Sequence, residues 1–140
     1  LRMLERAIEI AVEAHKGQVD KGGSPYILHP LRVMMSVNDE SEKIVAVLHD
    51  VVEDSDWTVD ALLAEGFSVE VIEALKTVTK ESEDEDYDLF IQRAMQNLIG
   101  RKVKIADLRD NLDVTRISEI TDTDVKRINK YKKALKLLSA

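Results

Sequence analysis

The sequence predicts an all-α protein, a compact bundle of about seven or eight helices. Apolar residues recur at three- and four-residue spacing along most of the chain, which is helical periodicity. Only 2 Pro and 5 Gly interrupt 140 residues, of which 34% are charged. No segment shows the apolar–polar alternation of a half-buried strand, and there is no internal repeat. The length predicts one domain, residues 1–140, with a substantial core.

Leu4, Ala7, Ile8, Ala11 and Val12 predict a helix over 1–15. His15-Lys16-Gly17 forms its C-terminal end, with Gly17 free to take the left-handed cap. A polar loop over 18–24 follows. Pro30 is then placed as the first residue of a second helix (Leu31, Val33, Met34, Val37) that ends near Asn38-Asp39. The apolar run Ile44 to Val52 predicts one continuous core helix from Ser41 to Val52. Thr58 and Ser68 are N-caps of two short helices separated by Gly66. Trp57 and Phe67 precede them as hydrophobic staples, towards Leu62 and Ile72. Val69, Ile72, Leu75 and Val78 form the buried stripe of the second. The charge run 81–86 reads as a solvated connection. Tyr87 to Ile99 is helical (Leu89 or Phe90, Ala94, Leu98), with a break at Gly100. Val103, Ile105, Ala106, Leu108 and Leu112 mark a mostly buried helix. Val125, Ile128, Tyr131, Leu135 and Leu138 mark a last one from about Asp122.

A net charge of -7 argues against a broad nucleic-acid surface, while a small anionic ligand needs only a local basic patch. With no Cys, disulfides, thiolate nucleophiles and zinc–thiolate sites are excluded. No apolar stretch approaches the roughly 20 residues of a membrane span, and no signal-peptide pattern occurs. The expectation is a cytoplasmic protein without membrane contact.

The chemistry-bearing stretch is His49-Asp50-Val51-Val52-Glu53-Asp54. In a continuous helix Glu53 lies over His49 and Asp54 over Asp50. His29 stands before Pro30, and Asp107 lies in the apolar segment Val103 to Leu108, where an unpaired carboxylate is costly. His29, His49, Asp50 and Asp107 are candidate ligands of a divalent ion. Imidazole plus carboxylate suits Mn, Fe, Zn or Mg rather than a structural zinc site. Taken singly, each has a structural alternative: a helix cap, a hydrogen-bonded core histidine, a buried ion pair. Glu53 and Asp54 are candidates to orient or deprotonate water near such an ion. The alternative is a helix-end cap, although carboxylates there oppose the helix dipole. Lys21, Tyr26, Lys104 and Asn111 are candidates for holding a substrate, Asn111 being one turn after Asp107. Lys16, Arg101 and Lys102 read as surface charges, and His15 as a helix-end residue.

Four ordered blocks resemble a known family: His15-x-Gly17-Gln18; Gly23-x-Pro25-Tyr26-Ile27-x-His29-Pro30; His49-Asp50-x-x-Glu53-Asp54; and Lys104-x-Ala106-Asp107-x-x-x-Asn111. They look like the HD hydrolase domain of the RelA/SpoT family, whose single-domain members are small alarmone hydrolases. The matched blocks run from about residue 4 to 135. The resemblance implies a helical HD fold with a Mn(II) ion held by His29, His49, Asp50 and Asp107. It implies Glu53 and Asp54 acting on the attacking water, and Lys21 and Asn111 lining the nucleotide site. Arg127 and Tyr131 resemble the Arg-x-x-x-Tyr of the family's last helix. The implied reaction removes pyrophosphate from the ribose 3′ position of (p)ppGpp, the alarmone of the stringent response, leaving GDP or GTP. With no synthetase domain in the sequence, only degradation is expected.

One departure bears on the substrate. Where family members carry Arg-Lys, this chain has Asp20-Lys21. The family's Arg stacks on guanine, whereas Asp20 cannot stack and repels phosphate. The metal chemistry is therefore expected intact, with (p)ppGpp as the first substrate. The alternatives are another nucleotide with a 2′- or 3′-phosphate, such as NADPH, or a non-catalytic HD-fold binding module. The retained Glu53-Asp54 pair speaks against the module.

Overall fold

The computed structural model describes residues 3–140; positions 1 and 2 of the helix expected over 1–15 lie outside the described residues. The elements are α1 (Met3–His15), α2 (Leu28–Met35), α3 (Glu40–Leu48), α4 (Val51–Asp54), α5 (Val59–Ala64), α6 (Val69–Thr77), α7 (Tyr87–Met95), α8 (Leu98–Asn111), a 3-10 turn (Val114–Arg116) and α9 (Asp122–Ser139). No strand occurs among the described residues, only an isolated bridge between Val19 and Pro25. The fold is all-α.

Helix α3 is the axis. It packs against α1, α2, α6 and α8. Val45, Ala46, Val47 and Leu48 are fully buried, as expected of a helix that is apolar all round. Asp39 caps it, accepting from the Glu42 amide. It does not run on to Val52. The His49 ring donates from Nδ1 to the Ala46 carbonyl at 2.6 Å. That carbonyl is the acceptor the Asp50 amide needs for the next helical bond. The chain therefore leaves the helix at His49-Asp50 and resumes for one turn as α4, where the Asp54 amide donates to the Asp50 carbonyl at 3.0 Å. This break gives one helix more than the pattern predicts.

Other boundaries move for similar local reasons. Helix α2 begins at Leu28, so Pro30 is its third residue, still in the first turn where a missing N–H costs nothing. The α7–α8 break falls at Gln96-Asn97, not at Gly100. Asn97 caps α8 by accepting from the Gly100 amide at 2.8 Å. Gly100 serves a helix crossing instead: a Cβ there would lie 2.1 Å from Thr77 Oγ1 at the end of α6. On α6 the buried stripe is Val71, Ile72, Ala74 and Leu75, while Val69 is exposed; Phe90 rather than Leu89 faces inward, and Leu98 and Val125 point out. Thr58 and Ser68 cap α5 and α6, and Gly17 and Gly66 take positive φ. Residues 81–84 are exposed, but Glu85 is tied to Arg93 by two 2.8 Å bonds.

The core has two parts. The larger joins α1 to α6 and takes Ile99, Val103 and Ala106 from α8. The smaller joins Ile91 and Ala94 of α7, Leu108 of α8, and Ala134 and Leu138 of α9. Helix α8 thus belongs to both, and Lys104, Asp107, Asp110 and Asn111 lie along it between them.

Candidate metal centre and adjoining cleft

His29, the second residue of α2, and His49-Asp50, at the α3–α4 break, place one ligand atom each within 4.8 Å of one another. Asp107 on α8 joins them: its Oδ1 lies 2.9 Å from His29 Nε2 and 3.3 Å from His49 Nε2. Asp50 Oδ2 is 3.1 Å from His49 Nε2 and 3.7 Å from His29 Nε2. The helix break brings Asp50 beside His49 and turns both inward.

This donor set fits a divalent ion. His49 Nδ1 is spent on the Ala46 carbonyl, so Nε2 is the nitrogen left to bind an ion. That nitrogen is buried and makes no hydrogen bond, although two carboxylates stand close by. A ring nitrogen facing two carboxylate oxygens suits a cation between them, a proton or a metal ion. The proton equilibria point the same way. Burial pushes both imidazoles towards the neutral form. For His49 the charges of Asp50 and Asp107 outweigh it, and for His29 the hydrogen bonds to Asp107 and Asp110 do, so both are raised. Burial pushes Asp50 up, but His49 holds it down at about 2. Asp107 is likewise opposed by burial, yet Lys104 and the two histidines hold it well below the usual carboxylate range.

Tyr26 donates its hydroxyl to Asp50 Oδ2, and its ring lies 5.0 Å from that of His15 and 5.7 Å from that of His29. Lys104 is buried, with Nζ 2.9 Å from Asp107 Oδ2 and 4.7 Å from the centre of the Phe90 ring. Asn111 donates to Asp107 Oδ1 at 3.1 Å. Glu53 and Asp54 follow on α4. Both side chains are open to solvent, but the protein mass around them and the charge of Asp50 raise both carboxyls above their ordinary values. Gln18 fixes this end of α4 by donating to the Asp54 carbonyl at 2.9 Å, while its Oε1 meets His15 Nδ1. His15 is a buried helix-end residue, as expected.

A cleft of about 380 Å³ opens beside His29. Lys21, Tyr26, Asn111, Arg127 and Tyr131 line it, together with Asp20; Lys104 does not, because its ammonium faces Asp107. Arg127 is steadied by Asp124 at 2.7 Å. Asp20 turns its Oδ1 to the amides of Gly22 and Ser24, so it shapes the loop. The loop presses on the 3-10 turn, for a Cβ at Gly22 would lie 2.7 Å from the Arg116 carbonyl. Sequence reasoning missed the charged cleft residues Arg32, Asp110, Asp113 and Arg116, and the apolar Val19 and Ile117. The only signal for Asp110 was its place one turn after Asp107, on the same helix face.

No family model matches the chain. Relatives do. A guanosine-3′,5′-bis(diphosphate) 3′-pyrophosphohydrolase of Aquifex aeolicus is 32% identical over 120 residues, 78% of this chain and 17% of that protein. One of Vibrio cholerae, with the same name, is 30% identical over 125 residues, 80% of this chain and 18% of that protein. A probable GTP pyrophosphokinase of Mycobacterium leprae is 39% identical over 84 residues, 57% of this chain and 10% of that protein. The chain therefore spans less than a fifth of the length of these relatives. A solved structure described as a metazoan ortholog of SpoT that hydrolyzes ppGpp superposes with a TM-score of 0.82. It is 23% identical, and the match covers 99% of this chain and 85% of that one. Sequence similarity and shared architecture agree: over this segment the chain is similar to RelA/SpoT-type proteins, and it has the HD-domain hydrolase fold.

Proposed function

We propose that the chain, acting as one HD-type domain in the cytoplasm, is a Mn(II)-dependent phosphohydrolase. It removes pyrophosphate from the 3′ position of (p)ppGpp and leaves GDP or GTP. The observation that carries this reading is the buried, unpartnered His49 Nε2, facing Asp50 and Asp107 beside His29. The names of the Aquifex and Vibrio relatives supply the reaction.

His29, His49, Asp50 and Asp107 would hold the ion, and imidazole with carboxylate suits Mn(II). Bound there, a divalent ion supplies Lewis-acid neutralisation of phosphate charge and makes water a better nucleophile. Glu53 and Asp54, raised above ordinary carboxyls, orient that water and take its proton. The water oxygen joins the phosphorus next to the ribose, the bond from that phosphorus to the 3′ oxygen breaks, and the 3′ oxygen takes a proton. Tyr26 steadies Asp50, and Lys104 and Asn111 steady Asp107. Lys21, Arg127 and Tyr131 meet the nucleotide in the cleft.

A second reading keeps the centre and changes the substrate to another nucleotide with a 2′- or 3′-phosphate. Asp20, a carboxylate at the cleft wall, favours it. The test is turnover with Mn(II) in ¹⁸O-water, offering ppGpp beside NADPH and 3′-phosphoadenosine. The first reading expects label in pyrophosphate and unlabelled GDP. Turnover of a control alone supports the second. Mn(II) binding with silence on all three overturns both, in favour of a binding module.

A further inference from the structure

Asp110 joins the proposed metal centre to the cleft. Its Oδ2 lies 2.6 Å from His29 Nδ1. Arg32 grips the same carboxylate from two nitrogens, Nε to Oδ1 at 2.7 Å and Nη2 to Oδ2 at 3.1 Å. Arg116 donates to the Asp110 backbone carbonyl at 2.8 Å and reaches Oδ2 at 3.4 Å, while its other nitrogen holds Asp113 at 3.0 Å. Three elements, α2, α8 and the 3-10 turn, thus meet on one side chain.

We propose that Asp110 is a positioning residue that sets the tautomer and ring orientation of His29 for metal binding, and that Arg32 and Arg116 lock it in that pose. A carboxylate oxygen at 2.6 Å accepts, so Asp110 holds a hydrogen on His29 Nδ1, and in the tautomer that binds an ion Nε2, 2.9 Å from Asp107 Oδ1, is the ligating nitrogen. His29 Nε2 faces Asp107, Asp50 and His49, the same point that His49 Nε2 faces. His49 reaches that tautomer through a backbone carbonyl, whereas His29 reaches it through a side chain. A carboxylate behind a metal-binding imidazole fixes the ring and strengthens its donor nitrogen. The bidentate Arg32 contact leaves Asp110 one orientation. This inference rests on the metal reading above.

The test is Mn(II) affinity, read by electron paramagnetic resonance of free Mn(II), for the parent, Asp110→Ala, Asp110→Asn and Arg32→Ala, each checked for folding by circular dichroism. Asp110→Ala is expected to weaken Mn(II) binding about 10- to 100-fold. Asp110→Asn keeps an acceptor and is expected to recover most of that loss. Arg32→Ala, which leaves the carboxylate but frees it to turn, is expected to fall between parent and Asp110→Ala. A purely structural role would lower the melting midpoint and leave the affinity of the folded protein unchanged. Parent-like affinity in folded Asp110→Ala, or, should that variant not fold, parent-like affinity in Arg32→Ala, overturns the proposal. Failure of the parent itself to bind Mn(II) overturns the metal reading and this one together.

Discussion

Replacing Lys104 by Met removes the ammonium beside Asp107 and keeps most of the side-chain volume. The two side chains are 11% and 6% exposed, so the pair is shielded from water and its loss is not screened. Removing one partner of a buried pair costs about 3–5 kcal/mol, because the other charge stays buried. Asp107 keeps contacts to His29, His49 and Asn111, which argues for the lower end. At about 3–4 °C per kcal/mol for a chain of this size, the melting midpoint falls by about 10 °C. Urea unfolding at pH 7 in a chelator measures the difference directly. Added Mn(II) narrows it, since a cation on Asp107 replaces the lost one. The pH dependence has a definite sign. The folded Asp107 carboxyl is depressed, so its contribution is complete above the unfolded value, about 3.9, and is lost as pH falls through the lower folded value. Lys104 is raised, so its contribution is complete below its ordinary value of about 10.4 and is lost only as pH rises through the higher folded one. The gap between parent and variant is therefore flat from pH 7 to 5 and closes only in stronger acid. A loss under about 1 kcal/mol, the size expected of an exposed pair, refutes this reasoning.

Three further perturbations probe separate links. Glu53→Gln is expected to cut turnover by roughly 100-fold or more while leaving Mn(II) affinity near the parent's. Because its surroundings disfavour the charged form, the amide leaves the metal-free protein at least as stable at pH 7, measured by thermal unfolding. Gly100→Ala sets about 1–3 kcal/mol of overpacking against roughly 1 kcal/mol of helix propensity. The net loss seen in urea unfolding shrinks in a Thr77→Ala background, which removes the nearest atom. Asp20→Arg restores the residue that the family resemblance leads one to expect. It is expected to raise kcat/KM for ppGpp relative to NADPH, and an unchanged ratio would remove Asp20 from substrate selection.

The sequence showed chemistry best where it conflicted with its surroundings. His49-Asp50 at the end of an apolar run and Asp107 within another stand out because buried charge is costly, and those residues meet in the fold. The break between α3 and α4 was invisible to periodicity, since Val51 and Val52 continue the apolar pattern. It depends on one side chain taking the Ala46 carbonyl. Gly100 signalled a boundary and marks a close crossing, because a glycine required by a neighbouring helix looks the same in sequence as one that ends its own. Asp110 sits between Arg109 and Asn111 as an ordinary polar residue of a helix flank. Only the packing of α2 against α8 reveals its partners 81 and 78 residues away. Lys104 pairs with Asp107 three residues on, which spacing alone permits but does not require.

The most direct measurement is Mn(II)-supplemented turnover of ppGpp by the parent and by His49→Ala, with GDP and pyrophosphate quantified together. The account predicts equal amounts of the two products from the parent, dependence on added metal, and loss of turnover in His49→Ala. Parent-like turnover in His49→Ala, or in the parent after complete removal of divalent metal, would contradict it.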